Sequence, residues 1–145
     1  MDFPEGSFFI RNVASDLVLD VKGAGTQSGA GIVLERRRAG GTTDSQLWNY
    51  DNGFIVNLNS GLVLEVPGFE GGGSIQPGTS LAQADKREQP DSLNQLWAYN
   101  YEHLMPYDPK VCIQGQGGET NAGTEVVADR LVLHEIEQQW MLDPQ

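Results

Sequence analysis

Among the side chains able to do chemistry, two carboxylates stand out by position. Asp20 and Glu65 occupy the same place in two copies of one frame, "LVLDV" at 17–21 and "LVLEV" at 62–66. An ionised carboxylate makes strong, charge-assisted hydrogen bonds. A strand-end or turn role would account for either acid alone, but it leaves their recurrence in one apolar frame without a reason. Covalent catalysis has no comparable support. The single cysteine, Cys112, lies in no papain-like context, and no serine sits in a nucleophile elbow. Acids are plentiful, yet sequence does not place two of them at the separation that glycoside hydrolysis requires. Neither His103 nor His134 has partners at metal-ligand spacing. The expectation is a protein that is not an enzyme and that holds no metal or cofactor.

The charge balance narrows the partners. Nine Lys and Arg against twenty Asp and Glu give a formal charge of −11, which repels phosphate backbones and anionic membrane surfaces. Nucleic acid is excluded as the expected partner. The short basic run Arg36-Arg37-Arg38 reads as the solvated end of a strand or a loop. The N-terminal "MDFPEGSFFIRN" carries early acids and no sustained apolar run, so neither a signal peptide nor membrane insertion is expected. With one cysteine and no intrachain disulfide available, a cytoplasmic location is the expectation.

Elements that would hold these residues appear as internal repeats. "QLW" stands at 46–48 and 95–97, and "QQW" at 138–140. The openings repeat too: "FFIRNVASDLVLDV" at 8–21 matches "FIVNLNSGLVLEV" at 54–66, with "HLMPYDPKVCIQG" at 103–115 as a degenerate third copy. Each unit alternates apolar and polar residues, turns, and carries a glycine-rich loop before another short apolar run, a pattern of strands with almost no helical periodicity. Four strands in each of three units predict twelve strands in one domain over 1–145, with repeats near 6–51, 52–100 and 101–145. Such units bury their apolar faces by closing a short barrel around a pseudo-threefold axis. The predicted fold class is all-β, a β-trefoil. A propeller also uses four-stranded units, but three blades are too few. "GAGTQSG" at 23–29 resembles a nucleotide loop only superficially, since no helix follows it.

With three QxW repeats, each after an apolar strand frame and a glycine loop, the whole chain resembles the ricin B-chain-like lectins. The "IRNVASDLVLDV" opening is most similar to the small disulfide-free fungal members. The resemblance implies structural roles for Trp48, Trp97 and Trp140 as core anchors, each with an indole N–H in need of a partner. Gln46, Gln95 and Gln138 are expected to satisfy nearby backbone groups. Function would reside in shallow pockets, up to one per repeat. In the galactose-binding members the frame acid accepts hydrogen bonds from sugar hydroxyls, an aromatic ring stacks on the sugar, and a polar residue before Gln-x-Trp completes the grip. Carried over, the acid position is Asp20, Glu65 and Gln114, and the residue before Gln-x-Trp is Ser45, Asn94 and Glu137. The stacking position reads Glu35, Ala84 and Asp129, so no repeat keeps the aromatic. Phe69, in "PGFEGGG" after Glu65, is a replacement ring or simply folds back onto the barrel. Tyr101 and Tyr107 lie farther off.

The resemblance therefore implies a carbohydrate-binding lectin whose partners are glycans or glycoconjugates. Its carbohydrate-binding candidates are Asp20, Ser45, Glu65, Phe69 and Asn94. Repeats one and two rank above repeat three, where Gln114 replaces the acid. Individual sites of this kind are weak, so several sites or a homodimer would supply avidity. The competing readings are a β-trefoil protease inhibitor and a protein-docking module without sugar binding, since fold alone excludes neither.

Overall fold

The computed structural model describes residues 2–145, Thr42 by its backbone alone. The first repeat contains β1 (Phe8–Asn12), β2 (Val18–Val21), β3 (Ile32–Glu35) and β4 (Trp48–Asp51). The second contains β5 (Phe54–Asn57), β6 (Val63–Glu65), β7 (Thr79–Ser80), β8 (Ala82–Ala84) and β9 (Ala98–Asn100). The third contains β10 (His103–Met105), β11 (Val111–Gly115), β12 (Val126–Arg130) and β13 (Trp140–Pro144). The only helical segments among the described residues are 3₁₀ turns of three residues.

The strands build a β-trefoil. β1 pairs with both β13 and β4, β4 with β5, and β9 with β10, all antiparallel. Two backbone hydrogen bonds carry the ring onward, from Trp97 N to Gly53 O at 2.9 Å and from Trp140 N to Glu102 O at 2.8 Å. These correspond to the Phe8–Trp48 register of the first repeat, so each Gln-x-Trp tryptophan stands at one seam of the barrel. Three hairpins, β2–β3, β6–β8 and β11–β12, cap one end.

The sequence expectation of twelve strands is corrected to thirteen among the described residues. In the second repeat the third strand changes partner at Leu81. Thr79–Ser80 pairs with β12, while Ala82–Ala84 pairs with β6. Leu81 itself is buried, and its N–H reaches Val126 O at 3.0 Å.

Alternation decides the faces. Phe8 and Ile10 of β1 point into the main core with Trp48, Trp97 and Trp140, whereas Phe9 between them joins Val18 and Leu47 in a second, smaller cluster. The three tryptophans are 0%, 4% and 0% exposed, as their anchor role requires. Each indole N–H donates to a hairpin carbonyl: Leu19 O at 3.2 Å, Leu64 O at 3.0 Å and Ile113 O at 3.0 Å. The Asn52–Gly53 turn between β4 and β5 has positive φ at both residues, the geometry of a tight two-residue hairpin. Cys112 is fully buried, and burial, then Asp129, push its thiol up to about 12.

Candidate functional site

The indole bonds fix the residue just before the acid position, and the glutamine of each Gln-x-Trp fixes the acid position itself. Gln46, Gln95 and Gln138 each end a 3₁₀ turn and are buried. Each side-chain oxygen accepts a backbone N–H, from Arg38, Arg87 and Val132, at 2.9 Å in all three cases. Each side-chain nitrogen donates twice. One bond goes to a backbone carbonyl (Arg36, Asp85 or Arg130) and the other to the acid position: Asp20 at 3.3 Å, Glu65 at 3.2 Å and Gln114 at 2.7 Å. The glutamine thus clamps the strand-end loop to the hairpin and aims one polar side chain per repeat.

In repeat one, Arg38 lies across the carried-over residues. Its Nη1 donates to Asp20 Oδ2 at 3.1 Å and its Nη2 to Ser45 Oγ at 2.7 Å. The Asp20 carboxylate is only 3% exposed while Arg38 is 37% exposed. Its other oxygen, Oδ1, is buried with no hydrogen-bond partner. Repeat two repeats the design: Arg87 Nη2 bonds Glu65 Oε1 and lies 3.2 Å from Asn94 Oδ1. Asn94 is held in turn by its own donation to Val66 O at 2.8 Å. The structure therefore brings Asp20 together with Ser45, and Glu65 together with Asn94. Phe69 is apart from these contacts; it is half-buried and packs against the main core.

The two arginines are residues that sequence reasoning missed. The Arg36-Arg37-Arg38 run is not merely a solvated strand end: Arg38 turns inward onto the acid, and Arg37 covers the Phe9 ring at 3.9 Å. Lys86 covers Phe54 at 4.6 Å beside Arg87 in the same way. The signal was present as a basic dipeptide, 37–38 and 86–87, whose second member falls eight residues before the Gln-x-Trp glutamine. It was hidden because the third repeat breaks the spacing: its loop is two residues shorter, and Val132, six residues before Gln138, donates to the glutamine where Arg38 and Arg87 do.

Repeat three, ranked last from sequence, differs for that reason. With Val132 at the arginine position, a cavity of about 390 Å³ opens over Gln114, lined also by Gly117, Gly118, Asp129 and Glu137. Gln114 Nε2 reaches Asp129 Oδ2 at 3.4 Å. The following loop exposes Val132, Leu133 and Ile136.

Comparison with known proteins agrees with this architecture. The model of the ricin-type beta-trefoil lectin domain matches residues 6–140. No curated protein sequence matches the chain. The solution structure of the mdaA-1 domain is similar at 27% identity with a TM-score of 0.84, covering 99% of this chain and 92% of that one. The C-half of the earthworm R-type lectin, solved in complex with GalNAc, is 17% identical with a TM-score of 0.79, covering 98% of this chain and 100% of that one. The ricin B-like lectin of Macrolepiota procera, solved with lactose, is 18% identical with a TM-score of 0.73 over the full length of both chains. With the family's domain matched from residue 6 to residue 140 on a three-repeat barrel, the chain belongs to the ricin-type β-trefoil lectin domain family.

Proposed function

We propose that the protein binds carbohydrate without altering it, through the equivalent polar positions of its repeats. The carrying observation is the recurrence of one polar side chain, Asp20, Glu65 or Gln114, held by a buried glutamine beside a second polar residue at 45, 94 or 137. Hydroxyl-rich ligands suit such sites, because carboxylate and amide oxygens accept hydrogen bonds from hydroxyl donors, the carboxylates with charge assistance. In repeats one and two a sugar hydroxyl reaches the acid by replacing Arg38 or Arg87, whose guanidinium then donates to the ligand. Repeat three needs no such exchange, since its cavity is already open. The similar proteins solved with GalNAc and with lactose support this reading.

A broad glycan array probed with folded protein at high density tests the function; retention of no glycan refutes it. Titration of the retained glycan then locates the sites. Asp20→Ala, Glu65→Ala and Asn94→Ala are expected to weaken binding by about 1–3 kcal/mol at their own repeat, and Gln114→Ala at the third. Parent-like affinity in all four would move the ligand elsewhere on the surface. The exposed apolar loop at 132–136 favours a second reading, a protein-docking module. An empty glycan array together with a defined protein partner lost in Leu133→Asp would support it.

A further inference from the structure

A cavity of about 610 Å³ lies outside the three repeat positions. Ser74, Ile75 and Pro77 from the loop after β6 form one wall, and Pro109 to Val111, leading into β11, face them with Arg130. Its origin is a break in the pseudo-symmetry. Asn12 and Asn57 end the first strands of repeats one and two, where each accepts turn N–H groups and donates to the carbonyl of Glu137 or Ser45. Pro106 holds the corresponding place in repeat three and has no side-chain amide. Asp108 takes over, accepting Lys110 N at 3.1 Å and, across the repeat boundary, Ile75 N at 3.0 Å. That bond ties the glycine loop of repeat two to the turn of repeat three and leaves the hollow between them.

The electrostatics of this hollow run against those of the whole chain. Lys110 and Arg130 are both exposed, and neither makes an ion pair among the described residues. Arg11, Arg38 and Arg87 by contrast are paired with acids, while Arg37 and Lys86 lie on aromatic rings. The only acid lining the cavity, Asp108, is 9% exposed, with each oxygen already bonded to a backbone N–H. Two cations without an ion-pair partner therefore meet at one cavity beside the single carboxylate of Asp108, a local excess of one positive charge in a protein of net charge −11. At physiological salt the protein's distant acids are screened beyond about 8 Å, so these nearby cations set the local preference.

We propose that this cavity is a ligand site distinct from the repeat pockets and that it takes the carboxylate- or sulfate-bearing residue of an acidic glycan. An inorganic ion would use the two cations but not the apolar wall of Ile75, Pro77, Pro109 and Val111, nor a volume within the usual range for small-molecule sites. An acidic sugar uses both: its anionic group meets Lys110 and Arg130, its C–H face the apolar wall, and its hydroxyls Ser74. Arg130 also lines the repeat-three cavity, so the two hollows share a wall and one glycan can occupy both. In that continuity the proposal rests on the carbohydrate-binding reading; the charge selectivity of the cavity does not.

The test is an NMR titration of the isotope-labelled full chain with glucuronate, glucose 6-sulfate, glucose and inorganic sulfate. The acidic sugars are expected to shift the amide signals of Ser74, Ile75, Lys110 and Val111, with glucose leaving them unmoved and inorganic sulfate binding more weakly. Lys110→Gln and Arg130→Gln should each weaken glucuronate by about tenfold, equal to about 1.4 kcal/mol, while Lys110→Arg retains it. Equal shifts with glucose, sulfate binding as tightly as the sulfated sugar, or parent-like affinity in both Gln variants would overturn the proposal. If neutral glycans bind the repeats and glucuronate misses this cavity, the proposal fails and the lectin reading stands. If glucuronate binds here while the array retains acidic glycans only and the repeat-position variants bind them as the parent does, the proposal stands and the repeat-pocket reading fails.

Discussion

Replacing Arg38 by Met tests whether the arginine is the structural counter-ion of a buried acid. The guanidinium lies 3.1 Å from Asp20 Oδ2, a gross attraction of about 5 kcal/mol at an effective dielectric near 20. The Asp20 carboxylate is 3% exposed but Arg38 is 37% exposed, so solvent screens part of that attraction. Removing one partner of a fully buried pair costs about 3–5 kcal/mol because the other charge is left uncompensated. Here water can enter the place of the half-exposed guanidinium, so the expected loss is about 2–3 kcal/mol after that discount. For a chain of this size that lowers the melting temperature by on the order of 8 °C. Urea unfolding followed by tryptophan fluorescence measures it, because Trp48 donates to the carbonyl next to Asp20. The double variant Asp20→Asn/Arg38→Met should recover most of the loss, since no charge remains to compensate. A single-variant cost below about 0.5 kcal/mol, the range of ordinary surface substitutions, would refute the counter-ion role and mean that Asp20 is solvated without the arginine.

Other outcomes follow from the same geometry. Trp97→Ala should destabilise by about 3–5 kcal/mol in urea unfolding, through lost burial and an unfilled cavity at a barrel seam. Burial, followed by Glu102 and Asp143, pushes Tyr99 up from 10.0 to about 12. Folding thus favours the protonated phenol, and the stability it adds is complete below pH 10 and lost as pH rises from about 10 to about 12. Tyr99→Phe should flatten that alkaline limb in pH-dependent unfolding, at a neutral-pH cost of about 1 kcal/mol for the bond to Trp140 O. Cys112, with its thiol raised from 9.0 to about 12, should resist iodoacetamide at pH 8 in the folded protein and react readily in denaturant; equal rates would refute its burial.

Much of the barrel was legible because its determinants are local and threefold. Alternation in "FFIRN" and "FIVN" sets strand faces, Asn52-Gly53 sets a hairpin, and the spacing of Trp48, Trp97 and Trp140 sets the repeat. The tryptophans and glutamines were assignable before any coordinates, since a large indole and a buried amide have few other ways to be satisfied. Asp20 with Ser45, and Glu65 with Asn94, were legible as pairs through the same repetition. Which groups complete those pairs was not. Arg38 is eighteen residues from Asp20 and Arg87 twenty-two from Glu65, and a basic run in isolation reads as solvated surface. Only folding brings each guanidinium over its carboxylate, because the Gln-x-Trp glutamine pulls the strand-end loop inward by binding the arginine's own N–H. The same third-dimensional logic decided what covers each repeat position. From sequence, Gln114 ranked repeat three last, and only the structure shows that Val132 stands there in place of an arginine, beside a cavity over Gln114. Strand count obeyed the same division: the short apolar run after the second glycine loop read as one strand, and only the packing of the second hairpin against the third made Leu81 the point where it changes partner. Local periodicity fixes which face of a strand is buried, whereas the partner across a seam depends on contacts between residues far apart in the chain, which no spacing rule encodes.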